Sequence, residues 1–210
     1  MIKHKLFFNP KKEEEWLEKL RMQRYQLINV RTWTCRYEFR KVNNQDDLPV
    51  VKIDYRNFKK RDEFENYIAM FEDSGWKHIA GTKSSVVQYF ERSNSAAGDD
   101  IFSDAESKAG FYKRISNLWF EMFAVYCPLA IIFQTQGLFN FRSIFHLKEL
   151  YYTPGLWEMD GAEFWSSFLF ETPFALMRGL STWLFLLIIL MYAWFGIKSL
   201  YWCRKEKEKM

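Results

Sequence analysis

Residues 179–197 read GLSTWLFLLIILMYAWFGI, nineteen consecutive positions without a charged side chain. The hydrocarbon core of a bilayer is roughly 30 Å thick and takes about 20 helical residues to cross, so this stretch is long and apolar enough to span it. Its C-terminal flank supports the same reading. Lys198 is followed by Tyr201 and Trp202 and then by Arg204 and Lys205. That order sets amphipathic rings at headgroup depth and basic groups in the water beyond, as at a cytoplasmic interface. The sequence therefore predicts a transmembrane helix over 179–202 and a basic cytoplasmic tail over 203–210.

Toward the N-terminus, Met122 to Phe141 gives twenty more residues free of charge, with Pro128 inside them. Proline breaks a soluble helix but is tolerated in lipid where neighbouring groups satisfy the freed carbonyl. A linker helix and first span are expected over 104–141, the span itself at about 119–140. The helix is expected to run on from near Ile115, which places Glu121 one or two turns inside it, with Lys113 or Arg114 about two turns away. A carboxylate there costs a few kcal/mol on insertion scales and usually meets a polar partner or marks an ion path. Glu121 and Pro128 are accordingly the candidate functional residues of the membrane part. Lys108, Lys113 and Arg114 precede the first span and five basic residues close the second, whereas the connecting loop 142–178 carries Arg142, Lys148 and Arg178. This asymmetry places both termini in the cytoplasm. In the loop, Phe164, Trp165, Phe168 and Leu169 recur at helical spacing and predict an interfacial helix lying among headgroups. The alternative is a re-entrant segment or third span over 164–176, interrupted by Glu171 and Pro173.

Residues 1–92 read differently. Trp16, Leu17, Leu20, Tyr25, Ile28 and Phe39 each have an apolar or aromatic counterpart 51 positions later, in Tyr67, Ile68, Phe71, Trp76, Ile79 and Phe90. A constant offset is the mark of a repeated supersecondary unit, here with copies at about 4–41 and 50–92. Each copy has a short apolar stretch (Lys5 to Phe8; Val50 to Tyr55), a helix (Pro10 to Gln23; Arg61 to Ser74) and two runs of β-formers. Asn9 is placed to cap the first helix with Pro10 at its first position, and Gly75 to stop the second. The break between copies is Asn43 to Pro49. The fold class is therefore α+β: a duplicated β-α-β-β unit, with both helices expected on one face of a single sheet, followed by the two transmembrane helices and the interfacial helix. Residues 93–103 form a small-residue linker, with Ser103 or Asp104 capping the next helix. Duplicated β-α-β-β units resemble in topology the bacterial effector-binding domains, whose two copies frame a cleft for an apolar ligand. Trp16, Tyr37, Tyr67, Trp76 and Tyr89 are the candidates to line such a cleft here; the competing reading makes them core, since aromatic stripes at helix and strand periods are what a core requires.

Composition narrows the function classes. Thirty basic against 26 acidic residues give a net charge of +4, which is no footprint for nucleic acid. Three cysteines without CxxC spacing argue against a disulfide framework or a zinc knuckle. The N-terminus lacks an apolar stretch of signal-peptide length, so no cleaved export signal is expected. His4, His78 and His146 are far apart, and the metalloprotease, serine-hydrolase and nucleotide-binding motifs are missing. Asp99, Asp100, Asp104 and Glu106 cluster without the spacing of a calcium loop. No enzyme activity, cofactor or metal is expected. The expected partners are the lipid bilayer and, on the cytosolic module, a protein or a small apolar ligand.

Phe7-Phe8, Trp16-Leu17, Tyr37-x-Phe39, Ile53-Asp54, Gly75-Trp76, Tyr89-Phe90 and Ile101-Phe102-x-Asp104-x-x-Ser107-Lys108 together resemble the Firmicutes membrane-protein family catalogued as domain of unknown function 2812, over about residues 1–114. Arg24 stands where that pattern has glycine, so the turn before Tyr25 is expected to be built differently. The resemblance implies a bacterial plasma-membrane protein, in a family often encoded beside PadR-type transcriptional regulators, and implies no activity. The reading reached from sequence is a regulatory or sensory binding module anchored by two spans, with a small transport or membrane-protection component, of immunity or stress type, as the alternative.

Overall fold

The computed structural model describes residues 1–43, 48–94, 98, 100–102 and 104–209. Most of the break expected between the two copies (44–47), linker positions 95–97 and 99, and Ser103 as a helix cap lie outside the described residues. The chain is α+β, with two small antiparallel sheets and two long apolar helices. It divides into two compact units, Met1–Ile115 with Leu200–Met210, and Ser116–Ser199.

In the first unit, β1 (Ile2–His4), α1 (Pro10–Met22), β2 (Tyr25–Arg31) and β3 (Arg36–Lys41) are followed by β4 (Val51–Tyr55), α2 (Arg61–Asp73), β5 (Trp76–Ala80) and β6 (Val87–Arg92). The strands form two three-stranded sheets, ordered β1-β3-β2 and β4-β6-β5, not the single sheet expected. The registers of the two sheets coincide at an offset of 51: Ile2 faces Glu38 as Ile53 faces Tyr89, Tyr25 faces Lys41 as Trp76 faces Arg92, and each second strand bulges at the same place, between Leu27 and Asn29 and between His78 and Ala80. The first strand is Ile2–His4 instead of Lys5–Phe8. Phe7 is taken up by packing on Trp16, ring centroids 5.3 Å apart, and the ladder falls to the more polar residues before it.

Asn9 caps α1 by accepting from the Lys11 amide at 3.0 Å, with Pro10 at the first helical position, as the sequence predicts. Arg24 adopts a left-handed conformation, φ 68°, and so does Gly75, φ 84°, 51 residues on. The turn after α1 is therefore built like the one after α2, without the glycine that makes it cheap. Leu17 and Leu20 of α1 pack with Leu27, Val30, Tyr37 and Phe39 of the first sheet and with Ile53, Ala80 and Tyr89 of the second. Tyr67 and Phe71 of α2 pack with Trp76 and Phe90. Tyr89 and Phe90 are adjacent, so they point to opposite faces, and the second sheet has α1 on one face and α2 on the other.

Helix α3 (Ala105–Thr135) and helix α4 (Gly161–Lys207) are both long and apolar enough to cross a membrane, and only 17% of the most apolar stretch of each is buried. Asp104 caps α3, accepting from the Ser107 amide at 2.6 Å. In the second unit the helices cross closely. Ser116 Oγ donates to the Gly196 carbonyl at 2.9 Å, and Trp119 packs on Tyr192 and Phe195 with centroids 5.8 and 5.2 Å apart. α3 stops at Thr135, short of Phe141, where Gly137 turns left-handed (φ 71°) and Gln134 Oε1 accepts from the Phe141 amide at 2.9 Å. Phe164, Trp165, Phe168 and Leu169, expected on an interfacial helix of the connecting loop, belong to α4, which continues through Pro173. Three short 3-10 turns lie between α3 and α4, and their rings lean on α4: Tyr151 stacks on Phe168 at 5.2 Å.

Candidate functional site

Of the five candidate ring residues, Trp16, Tyr37 and Tyr89 are brought together in one core and Tyr67 and Trp76 in the other. Trp16 meets Tyr37 edge-on at 5.0 Å. What gathers the first group is a carboxylate. Glu13, 3% exposed, accepts hydrogen bonds at a single oxygen from Tyr37 Oη at 2.7 Å and Tyr89 Oη at 2.6 Å. Burial pushes the Glu13 carboxyl above its ordinary value, and the two hydroxyls pull against that rise. Burial and then Glu13 itself push both tyrosines up, so they serve as donors and not as bases. The sequence signal was available: Glu13, Leu17 and Leu20 share the i, i+4, i+7 spacing of one helical face, but acid in a first turn reads first as a partner of the helix dipole.

A second buried carboxylate organises the other side of the sheet. Asp54, 1% exposed, accepts from Tyr67 Oη at 2.7 Å, from the Tyr55 amide at 2.8 Å and from Arg114 Nη2 at 2.6 Å. Arg114 Nε also donates to the Tyr55 carbonyl at 2.6 Å. Two charge-assisted bonds thus tie the beginning of α3 to β4. Arg114, about two turns from Glu121 in sequence, is paired with Asp54.

Between α1, the edge strand β4 and the first turns of α3 lies an open cavity of about 460 Å³. Pro10, Val50, Val51, Phe102, Phe111 and Tyr112 supply apolar wall, and Lys11, Glu14, Glu15, Glu18, Lys52, Asp100 and Lys108 supply charge. Two ion pairs lie within the wall: Lys52 with Glu14 at 3.3 Å, and Lys108 with Asp100. Glu14 also accepts from the Ile53 amide at 3.1 Å, covering part of the strand edge. None of the five candidate ring residues lines this cavity. Among the described residues no group of three His, Cys, Asp or Glu is placed to hold a metal ion.

In the second unit Glu121 and Pro128 are both exposed on α3. The buried carboxylate there is Glu171, which accepts from the amides of Tyr152 and Thr153, the Thr153 hydroxyl and, at 2.8 Å, Arg178. Arg178 Nε in turn donates to the Leu150 carbonyl at 3.0 Å. This network fastens the loop to α4 and was not legible from spacing, because the donors to Glu171 include backbone amides of a distant segment.

No curated protein and no solved structure matches the chain. A family model described as "Protein of unknown function (DUF2812)" matches residues 9–124, a range that holds Glu13, Asp54, the Arg114 tie and all of the cavity wall. It covers more than half of the chain, which therefore belongs to this family.

Proposed function

We propose that the protein is a multi-pass protein of a bacterial plasma membrane, with both termini in the cytoplasm. Its α+β unit binds a small apolar ligand or a protein partner and passes the bound state to the spans through α3. The cavity wall carries this reading: Phe111 and Tyr112 of α3 face Pro10 and Glu14 of α1 and Val51 and Lys52 of β4, so an occupant touches the binding unit and the helix that leads to the membrane at once. Its size suits a small molecule, and apolar and aromatic side chains beside charged ones suit an apolar body with a polar end. The Asp54–Arg114 tie supports the same route, since it makes the start of α3 follow β4. The coincident registers and bulges support an internal β-α-β-β duplication, and the exposed Trp165, Leu169 and Phe170 support an interfacial position for the beginning of α4.

The test is the melting temperature of the full-length protein in nanodiscs with indole or 4-phenylbutyrate. Binding at 100 times Kd adds about 2.7 kcal/mol of stability, a readable shift, and Phe111→Trp, which enlarges a ring of the cavity wall, reduces it. Absence of any shift, or a shift unchanged by Phe111→Trp, defeats the reading. A C-terminal reporter active only outside the cytoplasm defeats the topology. The transport or membrane-protection alternative is favoured by one observation, the exposed carboxylate of Glu121 on an apolar helix. It requires Glu121→Gln to change ion flux or tolerance to membrane-active compounds in cells.

A further inference from the structure

The first sheet gives one face to α1 and, among the described residues, has no helix on the other. Tyr37 and Phe39 pack on Trp16; by strand alternation Arg36, Glu38 and Arg40 stand on the opposite side, beside their ladder partners Ile2, His4, Asn29 and Arg31. The corresponding face of the second sheet is covered. Ile53 and Tyr89, the counterparts of Ile2 and Glu38, pack with Leu17 and Leu20 of α1, and Lys52 reaches Glu14 across that contact. The layers therefore run sheet, helix, sheet, helix. A stack built head to tail ends in one free sheet face and one free helix face.

The two free faces are opposite in charge. The sheet face carries Arg31, Arg36 and Arg40 against Glu38. Arg31 and Arg36 oppose each other across the ladder, an unfavourable like-charge pair, and share the Glu38 carboxylate at 4.0 and 3.2 Å. Arg36 Nε is buried and has no hydrogen-bond partner among the described residues. The outward side of α2 exposes Asp62, Glu63, Glu65, Glu72 and Asp73 against Arg61, which lies 2.7 Å from Glu65, with Lys59 and Lys60 exposed just before the helix; acid prevails beyond its first turn. We propose that the free face of the first sheet docks the acidic outward face of α2 from a second copy of this chain, repeating between molecules the sheet-on-helix contact made inside one. Where the internal contact has Tyr89 and Val87, this face has Glu38 and Arg36, so the association is electrostatic, salt-sensitive and reversible. It is also heterologous, and so adds copies in a row instead of closing a pair.

The test uses full-length protein in excess detergent micelles, with mass followed by sedimentation. The wild type is expected to self-associate at low salt and to dissociate at high salt. Arg31→Glu/Arg40→Glu reverses the sheet face and Glu65→Lys/Glu72→Lys reverses the helix face, all at exposed positions. Each variant alone is expected to lose self-association, and an equimolar mixture of the two to regain it. A wild type that is monomeric at low salt, as it would be if the occupant were an acidic helix of another protein, overturns the proposal. Self-association that persists in both variants, or a mixture that stays monomeric, overturns it as well.

Discussion

Arg24 holds a backbone conformation that costs a side-chain-bearing residue about 1 kcal/mol or more, and the equivalent turn 51 residues later uses Gly75. Arg24→Gly is therefore expected to raise stability by up to about 1 kcal/mol, the 3.3 Å bond from its guanidinium to the Asn43 carbonyl being exposed and of little value; denaturant unfolding of the full-length protein checks this. Glu13 leads to a pH prediction. Burial lifts its carboxyl in the folded chain above the ordinary 4.5, so folding favours the protonated form. The resulting stabilisation is complete below the unfolded value and is lost as pH rises through the folded value. Compared with Glu13→Gln, which cannot ionise, the wild type is expected to gain relative stability on acidification and to lose it toward neutral pH. Parallel melting curves of the two proteins across that range would expose a difference of the wrong sign.

Among the elements, α1 shows how far local signals reach. Asn9 and Pro10 fix its start in sequence and in structure alike, and Asn9→Ala should cost about 1 kcal/mol, read as a fall in unfolding free energy. The strand before it does not follow local signals, because β1 is chosen by its ladder with β3 while Phe7 is drawn to Trp16. Glu171 and Pro173 look like an interruption of α4, yet the helix continues. Its carboxylate is satisfied by residues 152 and 153 and by Arg178, and a proline removes only one hydrogen bond from a long ladder. At the crossing of α3 and α4, a Cβ on Gly196 would stand 3.1 Å from the Phe120 ring. Gly196→Leu should therefore part the helices and cost about 1–3 kcal/mol of overpacking, measurable as a lower melting temperature in micelles together with loss of a cross-link between cysteines placed on the two helices.

For the whole molecule, the contact with the widest consequence is Asp54 with Arg114. Removing one partner of a buried pair typically costs 3–5 kcal/mol; Arg114 is 35% exposed at its side chain, so Asp54→Ala is expected at the low end, about 3 kcal/mol, and is also expected to abolish ligand-induced changes in α3 reported by a probe on the helix. A variant that unfolds normally but still transmits the change would separate the structural role of the pair from its proposed relay.

The sequence by itself determined the two apolar helices, the α+β character of the first unit, its helix starts and stops, and the 51-residue correspondence. These depend on composition, periodicity and capping, all of which act over a few residues. Tertiary structure decided that six strands make two sheets instead of one, that Glu13 and Asp54 are buried acceptors for tyrosines distant in the chain, that Arg114 pairs with Asp54 and not with Glu121, and where the cavity lies. The carboxylate contacts join groups 13 to 76 residues apart, and such partners are selected because a carboxylate buried without a donor is costly, a condition that no local pattern encodes.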